Sequence, residues 1–422
     1  MSDIFDVIII GAGAAGIGAG LAARAAGLNA VILEANGRIG GRAHAVDVGG
    51  VPYDLGCHYL HNASRNPFAA AALREGWRVR MDLHATSVPE MAYRGSHRLS
   101  DDERAACARF YEACDEAYLT ADGDVAGASV IDTASPYYTH YTGWCEAIHG
   151  VPPERLSTGD YQRFADVPED WPVRNGYGAL IASFAKDLPI RLNCPVTAVD
   201  RTGALVSVET PKGAVRGLSV VVTVSAGVLA SGAIRFTPEL PATVQTGLDG
   251  VPMGYAERVC LTMDGPVFET PVQSVHVVPT QGPATGRMLS LSFTEFGDPT
   301  VGAYIAGDLA HDLTQDGGKE ALVDATEAAL AEVLGTDVLK RIVAREASCW
   351  STDPLTLGGY SASLPGRTAA RDALALRFDE RVILAGEACA LDYYATAHGA
   401  YFTGGAAIAT LVKDGLGRGG SA

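Results

Sequence analysis

Residues 6–16 read Asp6-Val7-Ile8-Ile9-Ile10-Gly11-Ala12-Gly13-Ala14-Ala15-Gly16, an apolar run that leads directly into a glycine-rich turn. An unbroken run of this kind is typical of a parallel strand that is buried on both faces. In the Gly11-x-Gly13-x-x-Gly16 pattern, the first glycine permits a tight turn and the second lets the backbone approach a pyrophosphate. The third lets a helix pack closely on the strand, and the small residues from 14 to 26 predict that helix.

A second apolar run at residues 30–34 ends in Glu34, at the distance from Gly16 that a nucleotide-binding βαβ unit requires. A carboxylate at this point can bind the ribose hydroxyls of a nucleotide. The order of strand, glycine turn, helix, strand and acidic residue therefore predicts a dinucleotide site. Its predicted cofactor-binding residues are Gly11, Gly13, Ala14, Ala15, Gly16, Glu34 and Ala35.

The loop that follows, residues 36–42, carries Arg38 and Arg42 among three glycines. Glycines permit a close backbone approach, and arginine can bind phosphate oxygens through paired hydrogen bonds. The same residues would also suit a solvated turn that is held by salt bridges. The sequence leaves both interpretations open.

The composition sets limits on the class of protein. The chain has 422 residues, of which 48% are hydrophobic and 19% charged, so it can bury a large core and is long enough for two domains. Its formal net charge of −17 argues against a nucleic-acid partner, which binds to basic surfaces. An acidic surface can steer cationic substrates into a site, but it can also serve solubility alone.

The cysteines and the N-terminus bear on the compartment. Eight cysteines are scattered along the chain without CxxC pairs or clusters with histidine, so no metal site is predicted. Scattered thiols suit a reducing compartment. Residues 1–6 lack the basic start of a secretory leader, and no apolar run approaches the roughly 20 residues of a membrane span. The sequence therefore predicts a cytoplasmic protein that does not enter a membrane.

The rest of the chain alternates between two kinds of sequence. Buried apolar runs near residues 190–224 and 382–386 indicate returns to the nucleotide-binding domain. A second domain is indicated by strands predicted near 258–263, 273–278, 287–294 and 302–306 and by a helix predicted from Gly318 to Leu334. Residues 119–175 are rich in glycine, proline and aromatic residues and are too poorly periodic for their helices to be bounded.

Motifs in the last third of the chain connect these parts to a known family. They are Leu384-Ala385-Gly386-Glu387-Ala388-Cys389, Tyr393-Tyr394-Ala395-Thr396-Ala397-His398-Gly399-Ala400, Thr403-Gly404-Gly405, and Trp350 followed by Gly358-Gly359-Tyr360. Together with the N-terminal motif they resemble the flavin-containing amine oxidases, from residue 6 to about residue 412. That family includes monoamine oxidases, polyamine oxidases and flavin-dependent histone-lysine demethylases.

The resemblance implies an α/β fold in which a Rossmann-like FAD-binding domain is interleaved with a substrate-binding domain of mixed sheet and helices. The FAD-binding segments would be 1–75, 176–235 and 351–422, and the substrate-binding segments 76–175 and 236–350. In monoamine oxidases the residue before the Tyr360 position is a cysteine that binds flavin covalently. Gly359 stands there in this chain, so the FAD is expected to be non-covalent.

The resemblance also implies further cofactor-binding residues. Glu387 ends a buried strand, where an α/β sheet places its ligands, and Trp350 offers a flat wall for the flavin ring. His398 begins a helix whose amides could face the flavin and stabilise its anionic reduced form. The remaining implied residues are Arg38, Gly41, Arg42, Gly56, Cys57, His58, Tyr59, Val196, Gly386, Thr396 and Ala397.

Four residues are expected to act on the substrate. Tyr360 matches one ring of the aromatic cage that monoamine oxidases place before the flavin, and Thr396 stands at the position of the other ring. His61 resembles a histidine near the active site of animal polyamine oxidases, although a structural role is the alternative. Arg258 occupies the position of the family's lysine near flavin N5, where it could assist the chemistry, bind an acidic group of the substrate or form a plain salt bridge in a strand.

The resemblance implies an FAD-dependent amine oxidase with a pocket like that of polyamine oxidases. A small-molecule amine would be oxidised to an imine by hydride transfer to flavin N5, followed by hydrolysis and by reduction of O2 to H2O2. Alternatives are an L-amino-acid oxidase and a non-amine oxidase or desaturase of the protoporphyrinogen oxidase or carotene desaturase type. A flavin-bound scaffold or demethylase-like binding protein is a further alternative. A monomer and a homodimer both remain open.

Overall fold

The computed structural model describes residues 4–81, 89–165, 167 and 169–416. Its strands are β1 (Ile4–Ile10), β2 (Ala30–Leu33), β3 (Ala45–Val48), β4 (Val51–Asp54), β5 (Tyr59–Leu60), β6 (Met91–Arg94), β7 (His97–Arg98), β8 (Trp171–Pro172), β9 (Ile190–Arg191), β10 (Ala198–Asp200), β11 (Val206–Thr210), β12 (Gly213–Val222), β13 (Arg235–Thr237), β14 (Met253–Gly254), β15 (Ala256–Met263), β16 (Val272–Val278), β17 (Leu289–Phe293), β18 (Thr300–Ala306), β19 (Ile342–Ala347), β20 (Tyr360–Ser361) and β21 (Val382–Leu384). Its helices are α1 (Ala14–Ala25), α2 (Pro67–Glu75), α3 (Asp101–Leu119), α4 (Tyr138–His149), α5 (Thr158–Arg163), α6 (Tyr177–Ser183), α7 (Ala226–Ala230), α8 (Ala242–Gly250), α9 (Gly307–Leu334), α10 (Thr368–Ala375) and α11 (Ala397–Lys413). Short 3-10 turns lie at Ala63–Arg65, Gly127–Ser129, Thr336–Arg341 and Glu387–Cys389.

The first sheet carries the glycine motif, and its strand order is β13–β10–β11–β12–β1–β2–β9. Strands β9, β2, β1 and β12 run parallel, and β21 pairs in parallel with the last residues of β12. The first half of β12 instead pairs antiparallel with β11. The carboxyl ends of β1, β2, β12 and β21 therefore meet at one edge, where an open α/β sheet binds its ligands.

Helix α1 follows the glycine turn and packs against α11. Small residues allow the close contact, because a Cβ on Gly18 would lie 2.3 Å from the carbonyl oxygen of Tyr401. A Cβ on Gly404 would likewise lie 1.9 Å from the carbonyl oxygen of Ala15. This packing brings the N-terminus of α11 to the same edge of the sheet as the glycine turn.

The second sheet has the strand order β19–β15–β18–β17–β16–β6–β7. Because side chains alternate along a strand, it has two distinct faces. One face, with Leu289 and Leu291 on β17, packs with α9 into a buried apolar cluster. The other, which we call the inner face, carries Ser290 and its register partner Tyr304, and α4 contacts β16 and β18.

Helix α9 differs from its predicted extent. It begins at Gly307 rather than at Gly318, and Gly318, with a φ of 63°, marks a bend inside it. Glycine adopts this left-handed conformation without strain, so a residue that indicates a helix start in the sequence is an internal bend in the fold. No described helix, α9 included, combines the length and the apolar character that a membrane span requires.

The predicted fold class is confirmed, because a Rossmann-like sheet and a second mixed sheet are both present. The poorly periodic region 119–175 contains α4 and α5, which the sequence did not bound. The division into FAD-binding and substrate-binding segments stays a proposal. Helix α8 packs on α10 and shares the apolar cluster of Ile8 and Val220, which favours a border after α8 rather than at residue 235. Residues 417–422 of the last FAD-binding segment lie outside the described residues.

Candidate active site

A cavity of about 1270 Å³ opens at the carboxyl edge of the first sheet and continues along the inner face of the second. Its volume exceeds the roughly 300–1,000 Å³ of an ordinary small-molecule site, so it has room for a large cofactor and a substrate together. Of the predicted site residues, all line this cavity except Gly16, which lies beneath the glycine turn. The fold therefore brings residues from both ends of the chain to one place.

The glycine turn forms the nucleotide end of the cavity. Gly11 has a φ of +104°, which favours glycine. A Cβ on Gly16 would lie 1.9 Å from the carbonyl oxygen of Gly11, so the helix can begin this close to the strand only with glycine there. Gly13 forms a bridge with Gly40 and lines the cavity. These features fit the cradle that a dinucleotide pyrophosphate needs, with the N-terminus of α1 beside it.

Glu34 is held in place at the end of β2. Its Oε2 accepts a hydrogen bond from the Ala12 amide at 2.6 Å, and its Oε1 accepts one from the Asn36 amide at 2.7 Å. Each carboxylate oxygen has a second lone pair, and the side chain lines the cavity. Glu34 is therefore placed as the ribose-binding carboxylate of a nucleotide site would be.

Arg42 and Glu387 form an ion pair on the cavity wall. Arg42 Nη1 lies 3.0 Å from Glu387 Oε1 and donates to the Gly359 carbonyl at 2.6 Å. Glu387 Oε2 also accepts a hydrogen bond from the Ser361 hydroxyl at 2.7 Å. Burial alone would raise the pKa of Glu387, but Arg42, Ser361 and Arg371 outweigh it and lower that pKa, so Glu387 is an anion.

Trp350 forms a rigid wall of the cavity. Its indole Nε1 donates to the Leu55 carbonyl at 2.7 Å, and the guanidinium of Arg38 lies 5.6 Å from the ring centre. The backbone amides of Trp350 and Ser351 donate to Glu257 at 2.9 and 2.7 Å. Glu257 is fully buried on β15 and anchors this wall.

Arg258, the next residue on β15, lines the cavity. Its Nη2 donates to the Tyr53 hydroxyl at 2.9 Å, and its guanidinium lies 5.0 Å from the Tyr53 ring centre and 6.0 Å from that of Tyr304. Among the described residues, no carboxylate lies within salt-bridge distance of Arg258, and its role in the site stays a prediction. Burial alone would lower the pKa of Arg258, but Tyr53 and Glu295 raise it, so the guanidinium stays charged.

His58 joins Arg258 in a group of charges that the sequence did not reveal. Its Nε2 lies 2.8 Å from Glu295 Oε1, and its Nδ1 lies 3.4 Å from Asp54 Oδ2. Burial and the charge of Arg258 act to lower the pKa of His58, but the two carboxylates outweigh them and the pKa is raised. Glu295 lies in the turn after β17, and nothing in the sequence connects that turn to residues 54–58.

Tyr360 shares an aromatic wall with Tyr304. The two hydroxyl oxygens are 3.1 Å apart, and the Tyr360 hydroxyl donates to the Ala147 carbonyl at 2.6 Å. Both rings line the cavity. The ring next to Tyr360 is thus Tyr304, and no spacing in the sequence indicates this contact, because the two residues belong to strands of different sheets.

Thr396 caps the N-terminus of α11. Its Oγ1 accepts a hydrogen bond from the Gly399 amide at 3.0 Å and donates to the Tyr393 carbonyl at 2.7 Å, so its hydroxyl hydrogen is already used. His398, in the first turn of this helix, is 1% exposed, and its Nε2 has no partner among the described residues. Burial, reinforced by the charge of His61, lowers the pKa of His398 to about 3, so it is uncharged at neutral pH.

His61 lies beside Asp170 on the cavity wall, with 2.7 Å between Nδ1 and Oδ1. The antiparallel pairing of β5 with β8 explains the contact, because it places the residue after β5 opposite the residue before β8. The sequence pointed to His61 as a site residue but not to Asp170. Their pairing depends on two very short strands that no pattern in the sequence predicts.

The outer part of the cavity has an aromatic side and a polar side. The aromatic side chains come from α4, α5 and the residue after α5: Tyr141, Trp144, His149, Tyr161 and Phe164. The polar side belongs to the second sheet and carries Ser274, Ser290 and Ser292. Two carboxylates, Glu90 and Asp115, also line this part.

Comparison with known protein families and proteins identifies relatives along nearly the whole chain. A family model described as flavin containing amine oxidoreductase matches residues 70–410, and one described as an NAD(P)-binding Rossmann-like domain matches residues 9–75. Polyamine oxidase 4 of Oryza sativa subsp. japonica is 28% identical over 435 residues, which cover 95% of this chain and 87% of that protein. Probable polyamine oxidase 4 of Arabidopsis thaliana is 28% identical, over 94% of this chain and 85% of its own length. Lysine-specific histone demethylase 2 of Homo sapiens is 26% identical over 94% of this chain and 52% of its own length.

Proposed function

The chain belongs to the family of flavin-containing amine oxidoreductases and is an FAD-dependent amine oxidase, and we propose that its substrates are polyamine-like amines. Relatives named as polyamine oxidases match about the full chain, which supports this substrate class. Carboxylates on the outer wall, Glu90 and Asp115, would suit the remote ammonium group of such a substrate. The net charge of −17 would favour the approach of a cation.

We propose that FAD is bound without a covalent link along the inner length of the cavity. Gly11, Gly13 and Glu34 would hold its adenosine diphosphate end, and the Arg42–Glu387 pair would contact the chain that leads to the flavin ring. Trp350 would flank the ring. The backbone of Gly359 offers no thiol for a covalent bond, which supports non-covalent binding.

Bound FAD supplies the hydride acceptor and passes the electrons on to O2, which leaves as H2O2. The protein's own residues position the amine and control its protonation. Tyr360 and Tyr304 form the walls around the position of the reacting nitrogen and exclude water. Arg258 keeps a permanent positive charge nearby. That charge favours the uncharged amine over the ammonium, so the substrate loses its proton before oxidation and activity rises toward alkaline pH. Thr396 shapes the wall, and His61 with Asp170 makes it polar.

The observation that carries this proposal is the convergence of the glycine turn, the Arg42–Glu387 pair and the Tyr360–Tyr304 wall on one cavity. Peroxide release from the FAD-loaded protein tests it with spermine, spermidine, putrescine, aromatic monoamines and L-amino acids. Turnover of the polyamines above the monoamines is expected. Peroxide with aromatic monoamines alone would contradict the proposed substrate class.

An L-amino-acid substrate is a second candidate, and Arg258 is the observation that favours it. A guanidinium can hold a carboxylate by two hydrogen bonds. Glu295 already lowers the net charge around Arg258, and this favours a neutral substrate instead. Turnover of L-amino acids that is abolished in Arg258→Met would establish this alternative.

Three further expectations remain proposals. We propose a cytoplasmic location, which the eight free thiols support. We also propose that the partners are the amine and O2, without nucleic acid, since the net charge is strongly negative. The assembly state is open between monomer and homodimer, and sedimentation of the FAD-loaded protein measures it.

A further inference from the structure

A row of registered residues crosses the inner face of the second sheet. Arg258 on β15 pairs with Tyr304 on β18, Tyr304 pairs with Ser290 on β17, and Ser290 pairs with His276 on β16. Residues that pair directly lie on the same face of a sheet. Neighbouring strands are about 4.8 Å apart, so Ser290 lies roughly 10 Å from Arg258 along the row.

Ser274, Ser290 and Ser292 form a polar strip at this end of the row, which we call the serine floor. Ser290 and Ser292 are two residues apart on β17, so side-chain alternation directs both to the inner face. Ser274 lies on β16 where the pairing with β17 is irregular, between Val272 and Val275, and it reaches the same cavity. Each of them lines the cavity. Within the described part of the chain, none of these hydroxyls makes a side-chain hydrogen bond. Their hydrogen-bonding capacity is therefore available to a ligand or to water.

Gly302 keeps the floor open. It pairs with Ser292 across β17 and β18, and a Cβ there would lie 2.6 Å from Ser292 Oγ and 2.5 Å from the Tyr53 hydroxyl oxygen. Tyr141 and Trp144 of α4 line the same cavity with aromatic surface. The outer cavity thus combines hydroxyl groups from the second sheet with rings from α4.

Within the described residues, the serine floor itself carries no charged side chain. His276, at the end of the row, is 1% exposed and lies under Trp144, with 5.8 Å between the ring centres. Burial, reinforced by a second buried histidine, lowers the pKa of His276 to about 3, so it is uncharged. Arg258 at the other end disfavours a cation in the row. Asp115 lies on α3, and Glu90, just before β6, accepts a hydrogen bond from the backbone amide of Gln273 at 2.8 Å, at the edge of the floor beside Ser274.

From this arrangement we propose that the serine floor is a specificity subsite for a neutral hydrogen-bonding group of the amine substrate, such as a hydroxyl or an amide. The group would lie remote from the carbon that is oxidised, separated from it by the width of about two strands. This inference rests on the proposed amine oxidase function and adds a second recognition point to it. Hydroxyl side chains accept from a ligand O–H or N–H and donate to a carbonyl, which ammonium-binding carboxylates cannot do.

Linear primary amines of matched length test the proposal. One series ends in a methyl group, one in a hydroxyl and one in an N-acetyl group. The FAD-loaded wild type is compared with Ser290→Ala/Ser292→Ala and with Ser207→Ala, a control on β11 that lies outside the cavity. Peroxide release gives kcat/KM, and titration of the flavin absorbance gives a dissociation constant for each amine even where turnover is slow. The flavin spectrum and the thermal midpoint report whether the double variant is folded.

The wild type and the control should prefer the hydroxyl-ended or acetylated amines over the methyl-ended ones at one chain length. In the double variant, kcat/KM for the hydroxyl-ended and acetylated amines should fall by roughly three- to ten-fold, while kcat/KM for the methyl-ended amines should not change. The proposed subsite would be overturned if kcat/KM and the dissociation constant were equal for all three amine series in the wild type. An unchanged preference in the folded double variant would overturn it as well. Amine oxidation that persists in either case keeps the proposed function standing, whereas failure of all amines to bind or react would remove both.

Discussion

Arg258 is positioned by one hydrogen bond to Tyr53 and by the faces of two tyrosine rings. Tyr53→Phe removes that bond and leaves the guanidinium less fixed in the cavity. If Arg258 assists the reaction with O2, flavin reoxidation should slow roughly five-fold, which corresponds to about 1 kcal/mol for one lost hydrogen bond. Stopped-flow absorbance separates reoxidation from reduction by the amine. Tyr93→Phe is the matched control, because Tyr93 is buried outside the cavity, and equal rates in both variants would contradict the role.

The His58–Glu295 pair should make stability depend on pH within a defined window. The pKa of His58 is raised above 6.5, so its contribution is complete below about pH 6.5 and is lost as the pH rises through the raised value. The pKa of Glu295 is lowered below 4.5, because His58 and Arg258 outweigh the effect of burial, so its contribution is complete above about pH 4.5.

We therefore expect Glu295→Gln to destabilise the protein most between about pH 4.5 and 6.5 and least near pH 9. Urea unfolding of wild type and variant at each pH measures the difference in the free energy of unfolding. A difference that stays constant from pH 5 to pH 9 would show that the pair is not ionised as described.

Single residues were predictable where a motif surrounds them. Arg258 was recognised from its neighbours in the chain, whereas its contacts Tyr53 and Tyr304 were not. Glu295 and Asp170 were also missed, since each meets its partner through strand register or a turn rather than through sequence spacing. A single sequence contains no signal for such contacts.

Helices α5 and α10 are joined by two ion pairs that differ in burial. Asp160 holds the fully buried Arg371 at 2.8 Å, while Arg163 and Asp372, 3.0 Å apart, are more than a third exposed. Asp160→Asn leaves a buried guanidinium without its main partner, so we expect a loss of about 3–5 kcal/mol. The matched change Asp372→Asn should cost less than about 1 kcal/mol, because solvent screens an exposed pair. Urea unfolding measures the change in the free energy of unfolding for each variant. Equal changes would refute the prediction that the buried ion pair contributes more than the exposed one.

Some elements carry local signals. Helix α3 begins after Ser100, which forms a capping box with Glu103. Helix α4 carries no such signal and includes Gly143, where a Cβ would lie 2.5 Å from Met288 Cβ. Its helical form depends on packing against the second sheet, and tertiary packing of this kind overrides local propensity.

The whole molecule keeps several histidines uncharged by burying them. Burial is the main reason that the pKa of His140 and of His149 is lowered to about 4, and that of His276 and of His398 to about 3. The unfolded chain binds protons at these residues from about pH 6.5 downward, and the folded protein does not. Its free energy of unfolding should therefore fall as the pH decreases from 7 to 5.

Thermal unfolding across that range tests this expectation. His276→Gln should flatten the decline because one of the uncharged imidazoles is gone. His97→Gln is the control, since that side chain is 66% exposed. Identical pH profiles for His276→Gln and wild type would contradict the prediction.

At the scale of the molecule, the sequence supported the fold class and the general place of the cavity. Apolar runs and glycines mark the first sheet because a buried parallel strand and a tight turn constrain composition strongly. The outer cavity was not predictable, because no sequence pattern around Ser290, Ser292 or Trp144 indicates that α4 packs near the second sheet.

The late position of β21 and α11 in the chain has a consequence for biosynthesis. After the glycine turn has left the ribosome, β12 lacks its parallel neighbour β21, and α1 lacks α11, until residues 382–413 have been translated. Contacts so distant in the chain form slowly, because a long loop must close first. The nucleotide site is therefore completed only after α11 has been translated, and until then the nascent chain carries an unfinished apolar sheet.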